Sequence, residues 1–435
     1  VYRAIGTYII AYSAVAAWAP YLSAYYNRGL GIPLALVGLL MALTSTVSLV
    51  GSPLWGTLHD RSPQSGLLLP VAATIAAAGA LGMLVLGASP LLPVAAAIFA
   101  LGISGLFPMM DVRVLEMVSA DRTRYARVRV WGSISFIVLA PLIGMLTAAH
   151  GLQALFWVMI PALLAGGLAV TTLPGRDHEV RATSMRRAPM TVLRHRPIAI
   201  CLMGSFLAWA AVSSQNAFFT IYLIQLGAST DMAGSAWSIA ALLEVPAMFL
   251  FPALARRFGA ERLIVLGAVL LVVRQTVNVV FTEPVVLMGF SLIQGIGYSF
   301  VLIGSVTFMS QQAPRGTAAT AQGIFNAVAG SMAVIAGAGI GGQLAGLLTI
   351  RGLYVMSACL GASAVIVIAA GVLPVARARA TEEAAQPGHG SQPDHSYGGE
   401  AAPADQTPQQ TPPAAQAPQA LPRAVARPEP TDPAA

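Results

Sequence analysis

The chain contains no lysine; all 24 of its basic residues are arginine. That excludes a lysine-dependent phosphate-binding loop, a Schiff-base lysine and a kinase-type lysine. Charge of either sign is scarce, at 9% of residues against a hydrophobic share of 56%. A soluble domain needs about a quarter of its residues charged to cover its surface, so the surface of this chain must face lipid. Cysteine is limited to Cys201 and Cys359, far apart in sequence and both in apolar stretches. They read as small core residues rather than a disulfide or metal pair. His59, His150, His178 and His195 sit in or beside expected loops, and no pair has ligand spacing. No metal, cofactor or catalytic triad is expected, and the chain does not read as an enzyme.

What is present is apolar sequence in runs of about 20 residues, the length that crosses ~30 Å of hydrocarbon. The mean hydropathy is +0.73. Twelve spans are expected at about 4–26, 33–57, 66–88, 91–117, 128–149, 152–173, 197–224, 232–254, 262–281, 284–310, 318–347 and 352–374. The first begins almost at residue 1 and no soluble domain follows it, so it reads as a retained helix and not a cleaved leader.

The longest break between spans, at about 174–196, divides them six and six. The expected organisation is therefore an N-terminal half at 1–173, a central loop at 174–196 and a C-terminal half at 197–375. From about 380 to 435 the composition shifts to Ala, Pro, Gln and Gly. Such a segment buries too little apolar area to offset its ordering entropy, so a disordered tail is expected.

The net charge of +7 suggests nucleic acid at first sight. The arginines lie in short loops instead, after spans 2, 4, 6, 8 and 10, at positions such as Arg61, Arg124, Arg187, Arg257 and Arg315. The opposite loops hold little beyond Arg28 and Arg351. By the positive-inside rule the arginine-rich loops, the central loop and both termini face the cytoplasm. The two halves also read as copies: GTLHDR (Gly56 to Arg61) follows span 2, and PALARRFG (Pro252 to Gly259) follows span 8. Paired six-span halves with a site between them are a recurrent transporter design.

Charges inside the spans are the candidate functional residues. The stretch LIVLGAVLLVVRQTVNVVF holds Arg274 near its centre, and an arginine there costs about 2.5–3.5 kcal/mol by insertion scales. Span 8 carries Glu244, and the midpoint of 244 and 274 is Gly259, the expected turn. At ~1.5 Å per residue both charges lie at one depth, about 20 Å from that turn. They are expected to pair or to face one aqueous cavity. Asp111 in span 4 and Arg129 in span 5 repeat the construction around residue 120. Phe136 lies two helical turns after Arg129, where its ring can stack on a sugar or an aromatic ring. In span 11, Gly337, Gly339 and Gly342 match the spacing of a dinucleotide loop, but no strand precedes them; they read as small residues for close helix packing.

With six plus six spans and GTLHDR between spans 2 and 3, the chain resembles the major facilitator superfamily over about residues 4–375. It looks most like the branch of lactose permease and other oligosaccharide–proton symporters, nucleoside symporters and phenylpropionate permeases. RYARVRVWGSISF, ALLEVPAMFLF and VVRQTVN carry that likeness in spans 5, 8 and 9. The resemblance implies an all-α membrane protein with the major facilitator fold. It also implies solute-binding roles for Asp111, Arg129, Phe136, Glu244, Arg274 and Gln294, and proton coupling at Glu244 and Asp111. Gly56, Asp60 and Arg61 match the conformational-switch motif. The sequence departs from the lactose permease in span 10, where Gln294 and Gly297 replace a His and a Glu, and in span 7, where the acids are missing.

The expected function is a secondary transporter importing a small polar or aromatic solute (a sugar, nucleoside or aromatic acid) by proton symport in the cytoplasmic membrane. Its expected partners are that solute, protons and the bilayer, with no nucleic acid, and it is expected to be a monomer. The alternative is a proton-driven exporter of drugs or metabolites. Exporters carry a Gly-rich motif in span 5, of which VLAPLIGM retains only Pro141 and Gly144.

Overall fold

A computed structural model describes residues 1–62, 65–118, 122–173, 189–314 and 317–385. Among the described residues, twelve helices are long and apolar enough to cross a membrane. In the first half they are Tyr2–Gly29, Leu34–Arg61, Gly66–Leu86, Leu92–Met117, Arg124–His150 and Leu152–Thr171, spans 1 to 6. In the second they are Arg196–Gln225, Thr230–Phe258, Ala260–Val280, Pro284–Gln312, Thr320–Leu348 and Ile350–Ala378, spans 7 to 12. Among the described residues there is no strand. That follows from the solvent: lipid offers no hydrogen-bond partners, so each segment must satisfy its own backbone as a helix. The chain is an all-α, multi-pass membrane protein.

The spans begin and end within a few residues of expectation, with informative exceptions. GTLHDR is not a loop but the last turns of span 2, which runs through Arg61. Likewise PALARRF ends span 8. The turn glycine is as expected: Gly259 has φ of +85°, a conformation costly for a residue with a Cβ. The expected central loop is partly helical, with a short helix at Pro189–Arg194 and span 7 starting at Arg196; residues 174–188 lie outside the described residues. The turn around residue 120 also lies outside them, at 119–121. The helix of span 12 continues to Ala385, and the expected disordered tail lies outside the described residues from 386 onward.

Two helices depart from α geometry. Span 1 ends in a π-helical turn at Tyr25–Gly29, and span 11 contains a π-helical stretch at Asn326–Met332. Such stretches re-aim side chains and occur frequently at functional sites.

Span 5 packs along span 8, and span 2 along span 11, joining the two halves. The close contacts lie at the arginine-poor ends. A Cβ on Gly234 of span 8 would stand 2.5 Å from Ala140 O of span 5, and Thr230 on span 8 donates to Gly144 O at 2.8 Å. On the other side of the interface the backbones of Gly38 and Gly342 meet. A Cβ on Gly38 would stand 2.6 Å from Gly342 Cα and 2.4 Å from Ala338 O, nearer than real atoms approach. The expected packing role of Gly337 and Gly339 follows the same pattern, against Ala210 and Ala42. Of the two cysteines, both free, Cys201 is buried as expected but Cys359 is exposed. In lipid an outward apolar side chain costs nothing, so apolar context alone did not place Cys359 inside.

Candidate functional site

A cavity of about 450 Å³ lies between the halves, walled by spans 1, 2 and 4 on one side and 7, 8, 10 and 11 on the other. Its aromatic wall is Trp18, Phe99, Trp209, Trp237, Tyr298 and Phe325. Its polar groups are hydroxyls and carboxamides: Thr44, Ser45 and Ser48 on span 2, Ser213 and Asn216 on span 7, Asn326 and Ser331 on span 11. Asn326 and Ser331 belong to the π-helical stretch. Among the described residues that line the cavity, none is charged. A site of flat aromatic faces and neutral hydrogen-bonding groups suits a neutral solute with rings and polar edges.

None of Asp111, Arg129, Phe136, Glu244, Arg274 and Gln294 lines this cavity. Asp111 and Arg129 do not form an ion pair; two tyrosines of span 1 stand between them. Tyr8 donates its hydroxyl to Asp111 Oδ1 at 2.5 Å, and Arg129 Nη1 donates to the Tyr12 hydroxyl. The Arg129 guanidinium also lies 5.7 Å from the centroid of the Tyr12 ring, a cation–π distance. Tyr8 and Tyr12 are one helical turn apart and so share a face. Sequence reading passed over both, although two hydroxyl-bearing rings at that spacing on an apolar span were a usable signal.

Glu244 and Arg274 are not paired either. Arg274 has no exposed surface. Its Nη1 donates to Asn278 Oδ1, its Nη2 donates to Ser291 Oγ at 3.2 Å, and its guanidinium stands 4.6 Å from the centroid of the Phe219 ring. Equal depth did not bring the charges together because spans 8 and 9, though consecutive, are poor neighbours; each packs on span 10 instead. The buried stripe of span 9 runs through Leu263, Gly267, Leu271, Arg274 and Asn278, which turns the arginine into the second half. Glu244 instead sits on span 8, which packs along span 5, the helix that carries Arg129.

Gln294 is buried behind the wall, where its amide bonds to Gln215 and Asn216. Phe136 is partly buried and packs against a core cluster that draws residues from both halves. Gly56, Asp60 and Arg61 lie in the last two turns of span 2, all three exposed, with Asp60 Oδ1 3.9 Å from His59 Nδ1. Among the described residues no group of His, Cys, Asp and Glu is placed to hold a metal.

Comparison with known proteins places this arrangement. The profile of the MFS_1 like family matches residues 2–356. A maltose permease of Geobacillus stearothermophilus is 25% identical over 321 residues, 74% of this chain and 82% of that protein. The uncharacterized transporter YwbF of Bacillus subtilis (strain 168) is 22% identical over 326 residues, 74% of this chain and 81% of that one. Among solved structures, the nucleoside transporter NupG superimposes with a TM-score of 0.75 at 15% identity, covering 85% of this chain and 98% of that one. A bacterial homolog of the human lysosomal transporter Spinster, inward-facing and occupied, gives 0.65 at 13% identity, covering 86% and 96%. The two structures share the fold of this chain. With twelve spans, a cavity between two six-span halves and that family match, the chain belongs to the MFS_1 like family of the major facilitator superfamily: it is a transporter and not an enzyme.

Proposed function

We propose that this transporter imports a small neutral solute, a sugar or a nucleoside, by proton symport, as a monomer in the cytoplasmic membrane with both termini inside. The observation that carries the reading is the cavity, whose aromatic faces and uncharged polar groups would serve a sugar or a nucleobase and leave a carboxylate without a counter-charge. The names of the relatives, a maltose permease and a nucleoside transporter, agree with those two classes. An aromatic acid would meet no cation in that lining, of which Arg129 is not part.

Glu244 and Asp111 are the acids proposed to carry the proton. Occlusion from water disfavours an ionised carboxyl and a nearby cation favours it. A carboxyl in the inter-half face, like Glu244 near Arg129, meets both conditions in turn as the halves rock, and so can load a proton on one side and release it on the other.

The test is solute accumulation in proteoliposomes under an imposed pH gradient, with maltose and uridine as probes. The parent should concentrate one of them, and Glu244→Gln should fold and exchange the solute but fail to concentrate it. Accumulation by Glu244→Gln equal to the parent's would remove Glu244 from coupling, and gradient-driven extrusion would make the protein an exporter.

A further inference from the structure

Three carboxamides form a chain that ends at the cavity. Gln215 Nε2 donates to Gln294 Oε1 at 3.3 Å, and Gln294 Nε2 donates to Asn216 Oδ1 at 3.0 Å. Gln215 and Gln294 are 2% and 9% exposed, whereas Asn216 lines the cavity. A carboxamide carries its acceptor oxygen and its N–H donors on opposite branches. With Asn216 Oδ1 turned to Gln294, the branch left to meet a solute is Nδ2, a donor.

We propose that Asn216 is a specificity-determining residue that donates to an acceptor oxygen of the solute, and that Gln294 is the positioning residue that fixes this orientation. The proposal rests on the reading of the cavity as the solute site. Because the wall is uncharged, the oxygen recognised is a hydroxyl, ether or carbonyl of a neutral molecule. The surroundings fit that role. Ser213, one turn before Asn216, adds a hydroxyl to the same wall. Trp209, on the same face of span 7, meets Tyr298 edge to face with centroids 4.6 Å apart. Tyr298 in turn lies one turn beyond Gln294 on span 10. One pair of helix faces thus carries both the aromatic wall and the amide chain that orients its polar group.

Gln294→Glu separates this role from simple packing. When ionised, the new side chain can only accept, so Asn216 must turn its N–H edge inward and present its oxygen to the cavity. When protonated, it regains one donor and can hold Asn216 as Gln294 does. The charged groups on helices packed against this part of span 10 are Glu244 on span 8, whose carbonyl accepts from Ser299, and Arg274 on span 9, bonded to Ser291. Both are present in the parent and in Gln294→Leu, which therefore control for their titration.

The experiment measures equilibrium exchange of maltose and of uridine in proteoliposomes between pH 5 and pH 8. Gln294→Glu should raise KM about tenfold at the alkaline end, the worth of one hydrogen bond, with maximal rate within about twofold of the parent and the KM defect shrinking as pH falls. Asn216→Ala and Gln294→Leu should raise KM by a similar factor at every pH. A KM for Gln294→Glu that matches the parent throughout, or that is raised equally at every pH, overturns the proposal.

A second measurement needs no solute. In a chain with Cys201 and Cys359 replaced by serine, in detergent, Asn216→Cys should react with a charged methanethiosulfonate at least about tenfold faster than Gln294→Cys, because the thiolate needs water access. Equal or reversed rates overturn the placement of the two residues. If neither maltose nor uridine is exchanged by the parent, the proposed solute classes fail, and the labelling ratio decides the amide chain by itself.

Discussion

Arg274 donates to Asn278, one turn further along its own helix, and not to Glu244 on the preceding span. Among the described residues no carboxylate lies within ion-pair distance of this buried cation. Its compensation comes from a carboxamide, a hydroxyl and the face of Phe219. Removing one neutral partner should then be worse than removing the charge. Asn278→Leu strands the guanidinium and should cost about 1.5–3 kcal/mol, the range for hydrogen bonds to charged groups. Arg274→Met, similar in length and apolar, should leave stability near the parent's, and Arg274→Met with Asn278→Leu should recover most of the single-mutant loss. Thermal denaturation in detergent measures all three; a double variant as unstable as Asn278→Leu would show that the asparagine acts elsewhere.

Tyr12 is the acceptor that holds Arg129 in place. Tyr12→Phe keeps the ring and loses only the hydroxyl, so the fold should be retained while Arg129 is released from that position. Proton-driven accumulation should fall about tenfold, the equivalent of one hydrogen bond. Arg129→Lys should do no better than Tyr12→Phe, since an ammonium lacks the planar guanidinium that both donates to the Tyr12 hydroxyl and lies over its ring. Accumulation and exchange compared in the same vesicles check this: if Tyr12→Phe accumulates solute as the parent does, the bond is only structural.

The spans could be read from sequence because lipid leaves little choice of secondary structure. Depth was legible too, since it follows from the helical rise, and Gly259 is the turn. Rotation about the helix axis and the choice of neighbour were not. Those depend on where small residues let backbones approach, as Gly38 and Gly342 do. Hence sequence closes both charged pairs within consecutive helices, whereas Tyr8 and Tyr12 hold one set apart and span 10 separates the other. Gln294 reads in the sequence as a solute contact, but its place behind Asn216 depends on the crossing of spans 7 and 10, which no local pattern encodes. The GTLHDR helix is a smaller case: its only small residue, Gly56, lacks a following proline, and nothing in the stretch ends a helix before Ser62.

Orientation is open to direct test. If arginine-rich loops face the cytoplasm, protease-cleavable tags at about residues 185 and 385 should be protected in intact cells. A tag near residue 228, between spans 7 and 8, should be cut. Cleavage at 185 would invert the arrangement.

The last prediction concerns the crossing of spans 2 and 11. Gly38 and Gly342 meet without side chains, Gly342 also lies against the carbonyl of Leu34, and Gly346 stands beside Ala35. Backbone lies opposite Gly38 and Gly342, so a side chain added at either cannot be met by rotating a neighbour and the helices themselves must part. Overpacking of this kind costs about 1–3 kcal/mol in a rigid core. Two halves that rock against each other can relieve it by separating at the arginine-poor ends, where the crossing lies. Gly38→Leu should therefore shift the population toward a form parted at that end rather than unfold the protein. Spin labels at Leu36 and Leu347, exposed neighbours of the crossing, should show a longer distance in Gly38→Leu than in the parent, while the thermal denaturation temperature changes little. Gly289→Leu, where an added Cβ meets nothing within 4 Å, should leave the distance unchanged. If Gly38→Leu denatures at a much lower temperature with the label distance unaltered, the crossing is a fixed part of the core and the halves do not separate there.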